Sequence, residues 1–281
     1  MSKTIKELEY ASLQIKKNLL KLCSIQSIHI GGDLSIADVM TVLWQDVINY
    51  NIFNPKDEKR DRFILSKGHA SAVTCFEQAA IGCYDEKEVF DEYAKDEGKF
   101  SMHACNRKNP FVEVSTGSLG HGLPIACGIA QGLKLKGNDT SKVYVIMGDG
   151  EQSEGSIWEA AMNASFLKLN NLIGIIDYNG LQSDGSIMKM TGIPDLAEKY
   201  RSFGWCVYEI NGHDIKEIRN TFDAVLKIES NQPTVIICKT IKGNGIPEME
   251  NEVKWHAGKI SEEQYLDFID ILNKDYYKSH K

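Results

Sequence analysis

Five consecutive apolar residues, Val143-Tyr144-Val145-Ile146-Met147, run without interruption into Gly148-Asp149-Gly150. No other stretch limits the fold so strongly. A strand that faces water on one side alternates apolar and polar residues, so a run that does not alternate must be covered on both faces, as in a parallel sheet. Beyond Gly155, the residues Ile157, Ala160, Ala161, Ala164 and Leu167 recur at helical spacing, and a second unbroken run, Leu172-Ile173-Gly174-Ile175-Ile176, follows. The pattern predicts a strand, a loop, a helix over 156–167 and a parallel strand, with a right-handed connection. Pro233 to Cys238 adds another buried strand, Arg62 to Ser66 a short one, and Asp214 to Ile228 a helix capped by Asp214. Nearer the N-terminus, residues 4–24 carry an amphipathic period. Ser35 reads as the N-cap of a helix reaching about Tyr50, with Asp38 as the acid of a weak capping box. The expected fold is doubly wound α/β: a mostly parallel sheet with helices on both faces. No repeat or linker divides residues 1–281, so a single domain is expected.

Composition narrows the function. With 281 residues, 42% of them hydrophobic, the chain can bury a substantial core, and its net charge of −7 argues against nucleic acid as a partner. The seven cysteines form no C-x-x-C pair, the first nine residues are mostly polar and charged, and no window approaches the ~20 apolar residues of a membrane span. A reducing cytoplasm is the expected setting.

Asp149 lies between two glycines at the carboxyl end of one predicted parallel strand, with a helix opening shortly after it. An open α/β sheet places charged ligands at such a position. An isolated G-D-G is usually only a tight turn. Here, however, the neighbouring strand delivers Asp177-Tyr178-Asn179-Gly180-Leu181 at its own tip. Asp149, Asn179 and a main-chain carbonyl are hard oxygen ligands, suited to Mg²⁺ shared with substrate phosphates. The next glycine after Gly150 is Gly155, so no G-x-G-x-x-G is completed, and no G-x-x-x-x-G-K-[ST] occurs; nicotinamide and nucleoside triphosphate loops are disfavoured.

The sequence resembles the transketolase family of thiamine-diphosphate enzymes, whose magnesium motif is G-D-G followed about thirty residues later by Asn. The resemblance extends through Ile28-His29-Ile30-Gly31-Gly32, Ser66-Lys67-Gly68-His69-Ala70, Ser115 to Gly122, Gly148 to Gly155 and Lys254-Trp255-His256-Ala257. It implies that Asp149, Asn179 and the Leu181 carbonyl bind Mg²⁺, while Gly150, His69 and His256 contact the diphosphate. Gly117 and Leu119 would face the aminopyrimidine and Ile241 the thiazolium. His29, His69, His103 and His256 would line the sugar channel, polarising carbonyls and moving hydroxyl protons. Glu154 matches an acid that couples two active sites across a subunit interface. His121 stands where the family more often has Gln. Four of the seven histidines fall at these positions; His213 and His280 keep the ordinary reading of packing or capping residues.

In full-length relatives, the glutamate that activates the aminopyrimidine belongs to a second, pyrimidine-binding domain. The resemblance therefore implies a partner subunit supplying that glutamate in trans, a heterotetramer as the simplest symmetric assembly, and sugar or sugar-phosphate substrates. The expected reaction is transfer of a two-carbon ketol unit from a ketose to an aldose. Two rival readings are a pyruvate-decarboxylating thiamine synthase of the deoxyxylulose-phosphate type and a non-catalytic scaffold subunit. Pyruvate consumption would mark the first, and loss of the metal and diphosphate ligands the second.

Overall fold

The computed structural model, which describes residues 2–192 and 195–280, puts both apolar runs at the centre of one sheet. The elements in chain order are α1 (Ile5–Ile25), α2 (Ile30–Val42), β1 (Arg62–Leu65), α3 (Ser71–Ala80), α4 (Glu86–Glu92), α5 (Gly122–Leu135), β2 (Val143–Gly148), α6 (Gly155–Phe166) and β3 (Leu172–Tyr178). The chain continues through β4 (Leu181–Gln182), β5 (Gly185–Ser186), α7 (Ile187–Met190), α8 (Leu196–Ser202), β6 (Cys206–Asn211), α9 (Ile215–Lys227), β7 (Thr234–Lys239) and α10 (Glu262–Ser279). The main sheet has the order β1-β2-β3-β7-β6, and every pairing in it is parallel. All its strands therefore end on the same edge.

Alternation along the strands explains the apolar runs. Val143, Val145, Met147, Leu172, Ile176, Val235 and Ile237 pack with α5 and α6 in one cluster. Tyr144, Ile146, Ile173, Ile175, Ile236 and Cys238 pack with α1, α2 and α9 in another. Each strand residue thus meets a helical layer whichever way it points, as the lack of polar alternation requires. All seven cysteines are free thiols. No described helix is long and apolar enough to cross a membrane.

Two helix boundaries differ from expectation. The second helix begins at Ile30 with His29 at its N-cap, not at Ser35, and ends at Val42 in a wide turn over Leu43–Val47. Ser35 resembles an N-cap, and a helix buried on every side shows no amphipathic period to correct that reading. Gly31 serves close packing, since a Cβ there would lie 2.5 Å from the Trp255 carbonyl oxygen. Ser35 and Asp38 are therefore interior, not capping, residues. Ser35 Oγ donates to Asp177 at 2.6 Å, and Asp38 accepts from Ser12, Lys16 and His213. The helix over 215–227 does begin where expected, with the Asp214 side chain accepting from the Glu217 amide at 2.9 Å.

Candidate cofactor and active site

Four strand tips meet at the carboxyl edge of the sheet. β1 runs into Ser66-Lys67-Gly68-His69, β2 into Asp149-Gly150, β3 into Asn179-Gly180-Leu181 and β7 into Thr240-Ile241-Lys242. The left-handed conformation of Gly180 (φ 77°) turns the chain so that its amide donates to Asp149 Oδ2 at 2.5 Å, while Oδ1 accepts from the Gly150 amide at 2.8 Å. Asn179 is held through its amide nitrogen, which donates to Ser35 Oγ and Asp177 Oδ2, both at 3.2 Å. The tips of β2 and β3 are thereby locked together before any ligand arrives.

The two buried carboxylates differ in charge balance. Burial raises the Asp177 pKa, but the Lys67 ammonium and the Ser35 and Thr240 hydroxyls outweigh it and hold that carboxyl below its ordinary value. Asp149 has no such cation beside it. Burial, then the neighbouring Asp177, pushes its pKa up to about 7 against the two backbone donors. A buried carboxylate in no ion pair, its charge offset only in part by the more distant Lys67, lining one cavity with Asn179 and Leu181, is a donor set that fits a hard divalent cation. Among the described residues, no three His, Cys, Asp or Glu side chains are placed to hold a metal, so a zinc-type cluster is not found among them.

Above this floor lies a cavity of about 400 Å³ lined by His69, Leu119, Asp149, Gly150, Glu154, Asn179, Leu181 and His256. Eight residues singled out from the sequence thus converge on one space. His29 adjoins the cavity, its ring 5.4 Å from those of both His69 and His256 and 5.5 Å from that of His103. Burial, reinforced by neighbouring cationic side chains, pushes the pKa of His29 and His256 down to about 4 and that of His69 to about 2. These three rings are neutral near pH 7 and can accept as well as donate hydrogen bonds. Gly117 (φ 146°) lies against His103, where a Cβ would stand 3.2 Å from Cδ2. Ile241 lies beside the cavity-lining Lys242. His121 is exposed and caps nothing by its side chain, and His280 stacks on Tyr276 and meets Glu9 at 2.8 Å.

Two contributors were missed in the sequence. Lys242 is nearly buried, donates to His256 Nδ1 at 3.0 Å and has its pKa lowered to about 8, first by burial and then by Lys67. Only its place in the Lys-Thr-Ile-Lys-Gly segment after a buried strand could have signalled it. Glu151 is 1% exposed and joins three loops. It accepts from the Ser66 hydroxyl, from the Gly120 amide at 2.8 Å and from the Gly148 amide at 3.1 Å. The charged residue of G-D-G-E reads as solvated in the sequence, and nothing there distinguishes a buried acceptor.

A family model described as transketolase, thiamine diphosphate binding domain, matches residues 19–276. The chain belongs to the transketolase family. It is 38% identical to an apulose-4-phosphate transketolase subunit of Phocaeicola vulgatus, over 98% of both chains. It is 32% identical to the 6-deoxy-6-sulfo-D-fructose transketolase subunit SqwG of a Clostridium species, over 94% of this chain and 97% of that one. Transketolase from Campylobacter jejuni superposes with a TM-score of 0.82 at 26% identity, covering 99% of this chain and 48% of that one. Transketolase from Leishmania mexicana gives a TM-score of 0.83 at 25% identity, covering 99% and 45%. This transketolase chain thus spans about half the length of the solved transketolases it matches.

Proposed function

We propose that this chain is the diphosphate-binding subunit of a two-component transketolase, moving a two-carbon ketol unit from a ketose to an aldose with thiamine diphosphate and Mg²⁺. The observation that carries the reading is the under-compensated Asp149, locked to the Asn179-Leu181 turn beneath a cavity walled by neutral histidines. Thiamine diphosphate would supply a nucleophilic carbon for the ketose carbonyl and, in its thiazolium ring, a sink for the electron pair released when the carbon–carbon bond breaks. Asp149, Asn179 and the Leu181 carbonyl hold Mg²⁺. Gly150, His69, His256 and Lys242 receive the diphosphate, Gly117 and Leu119 face the aminopyrimidine, and Ile241 faces the thiazolium. His29, His103, His69 and His256 orient the sugar hydroxyls and carbonyl and move protons between them, as neutral imidazoles can. Glu154, at the cavity rim, couples this site to a second one across an interface.

The partner is a pyrimidine-binding subunit that supplies the activating glutamate, and the assembly is a heterotetramer in the cytoplasm. The Phocaeicola and Clostridium relatives are both named as subunits, which supports a partner. So do the apolar side chains Leu135, Met162 and Phe166 on α5 and α6, which are 79%, 50% and 82% exposed. The names of those relatives also suggest the donor class. Apulose 4-phosphate and sulfofructose are ketoses ending in an anion, so modified ketoses with an anionic terminus are proposed as donors.

The test is a ketol-transfer assay with such ketoses, thiamine diphosphate and Mg²⁺, using the chain alone and together with its co-purifying partner. Activity is expected in the mixture alone and is expected to vanish in Asp149→Ala with magnesium-dependent cofactor binding. Full activity in that variant would remove the metal assignment, and carbon dioxide release from pyruvate would favour the decarboxylating reading.

A further inference from the structure

We infer that His213 is a positioning residue for the cofactor, fixing the turn that carries Ile241 and Lys242. His213 follows β6, the edge strand next to β7. Its Nδ1 lies 2.9 Å from Asp38 Oδ2, and its Nε2 lies 2.8 Å from the backbone nitrogen of Ile241. That second contact fixes the tautomer. The Ile241 amide can only donate, so Nε2 carries the lone pair and Nδ1 carries the hydrogen that Asp38 accepts.

Asp38 is itself fixed. It is 5% exposed on α2 and also accepts from Ser12 Oγ at 2.5 Å and Lys16 Nζ at 2.9 Å. Lys16 continues to Asn244 Oδ1 at 2.8 Å, so the network grips the turn at two points, Ile241 and Asn244. Close packing brings the imidazole within reach. The Gly212 amide donates to the Lys239 carbonyl at 2.8 Å, and a Cβ on Gly212 would lie 2.4 Å from Thr240 Cγ2. On either side of Ile241 the turn serves the site: Thr240 Oγ1 donates to Asp177 at 2.5 Å, and Lys242 donates to His256 at 3.0 Å. His213 reaches none of the cavity-lining side chains directly. It acts through the backbone of Ile241, which lies between Thr240, bound to the buried Asp177, and Lys242, which lines the cavity.

The inference rests on the proposed function where it concerns the cofactor, and the experiment separates the two. His213→Phe keeps a ring but no acceptor; His213→Gln can place its carbonyl oxygen where Nε2 stands. Hydrogen exchange of the 240–244 segment is measured without cofactor in the co-purified complex, followed by Mg²⁺-dependent binding of thiamine diphosphate. In His213→Phe the Ile241 amide is expected to exchange about tenfold faster, the equivalent of one net hydrogen bond, while β3 and β7 keep their protection. Cofactor affinity is expected to fall by a similar factor and to recover largely in His213→Gln. Unchanged protection at Ile241, or a uniform loss across the sheet, would overturn the inference whatever the cofactor does. Faster exchange at Ile241 with unchanged cofactor affinity would overturn the link to the site. No cofactor binding by the unsubstituted complex would overturn the proposed function, and with it the role of this turn.

Discussion

Replacing Lys67 with Met tests how the floor of the site is balanced. The Lys67–Asp177 ion pair joins side chains that are 2% and 0% exposed. In Lys67→Met, Asp177 keeps its hydrogen bonds from Ser35 at 2.6 Å, Thr240 at 2.5 Å and Asn179 at 3.2 Å but loses its cation. Removing one side of a buried pair costs about 3–5 kcal/mol. That is about a fifth or more of a total stability of about 5–15 kcal/mol. Removing both charges in Lys67→Met/Asp177→Asn is expected to recover all but about 1–2 kcal/mol, because no buried charge is left unpaired. The pH dependence also inverts. In the unsubstituted chain the folded Asp177 pKa lies below its unfolded value, so the pair's stabilisation is present above that unfolded value and is lost as pH falls through the folded one. In Lys67→Met the folded pKa rises above the unfolded value, so stability increases as pH falls from neutrality toward about 4. Urea unfolding of the three proteins near neutrality, and again about two pH units lower, reads both effects. A single variant costing under about 1 kcal/mol, or a double variant no more stable than the single, would refute the reasoning.

Three further outcomes follow from the same geometry. Glu151→Gln replaces one acceptor oxygen with a donor facing backbone amides, so stability is expected to fall by about 1–3 kcal/mol. Thiamine diphosphate affinity should fall with it, and calorimetric binding of the cofactor checks this. Gly120→Ala adds a Cβ 2.5 Å from Glu154 Cβ at a φ of 84°, so the 115–122 loop must shift. Its melting temperature should fall by several degrees, measured by thermal unfolding. His29 and His256 have folded pKa values of about 4, below the unfolded value of about 6.5. The unfolded chain therefore takes up their protons first, and their share of stability declines as pH falls from about 6.5 to 4. Comparing unsubstituted protein with His29→Asn and His256→Asn isolates this slope from Asp33 and Glu77, whose pKa values burial raises to about 7 and which act in the opposite sense.

The central strands were legible because coverage on two faces leaves a mark in composition, and Val143 to Met147 and Leu172 to Ile176 carry it directly. Asp149 and Asn179 were legible because they follow those strands at once, and in a parallel sheet the position of a strand tip is known when the strand is. The start of α2 was not, because a helix buried all round has no polar face to betray its phase. Glu151 and Lys242 were hidden for a related reason. Local sequence signals do not distinguish a buried charged residue from a solvated one, and burial here depends on loops 31 and 85 residues away from Glu151. His213 shows the same limit, since Asp38, the partner of its Nδ1, lies 175 positions earlier.

The charges of the site argue for joint arrival of metal and diphosphate. Asp177 is matched by Lys67, which leaves Asp149 as a buried carboxylate without an ion-pair partner and Lys242 as an ammonium lining the same cavity. A diphosphate alone would meet Lys242 favourably but Asp149 unfavourably, and a divalent cation alone would meet the reverse. Each ion removes the other's penalty, so the binding of either is expected to strengthen strongly with the other present, by the same factor in both directions. Burial, then the neighbouring Asp177, raises the Asp149 pKa. Supplying the cation favours the ionised carboxylate, so cofactor binding near neutrality should release protons in proportion to the fraction of Asp149 protonated beforehand. Calorimetry in buffers of different ionisation enthalpy measures that release. Release that falls away as pH rises well above about 7, where Asp149 is already ionised, would assign the protons to this carboxyl; release that does not change with pH would place them elsewhere.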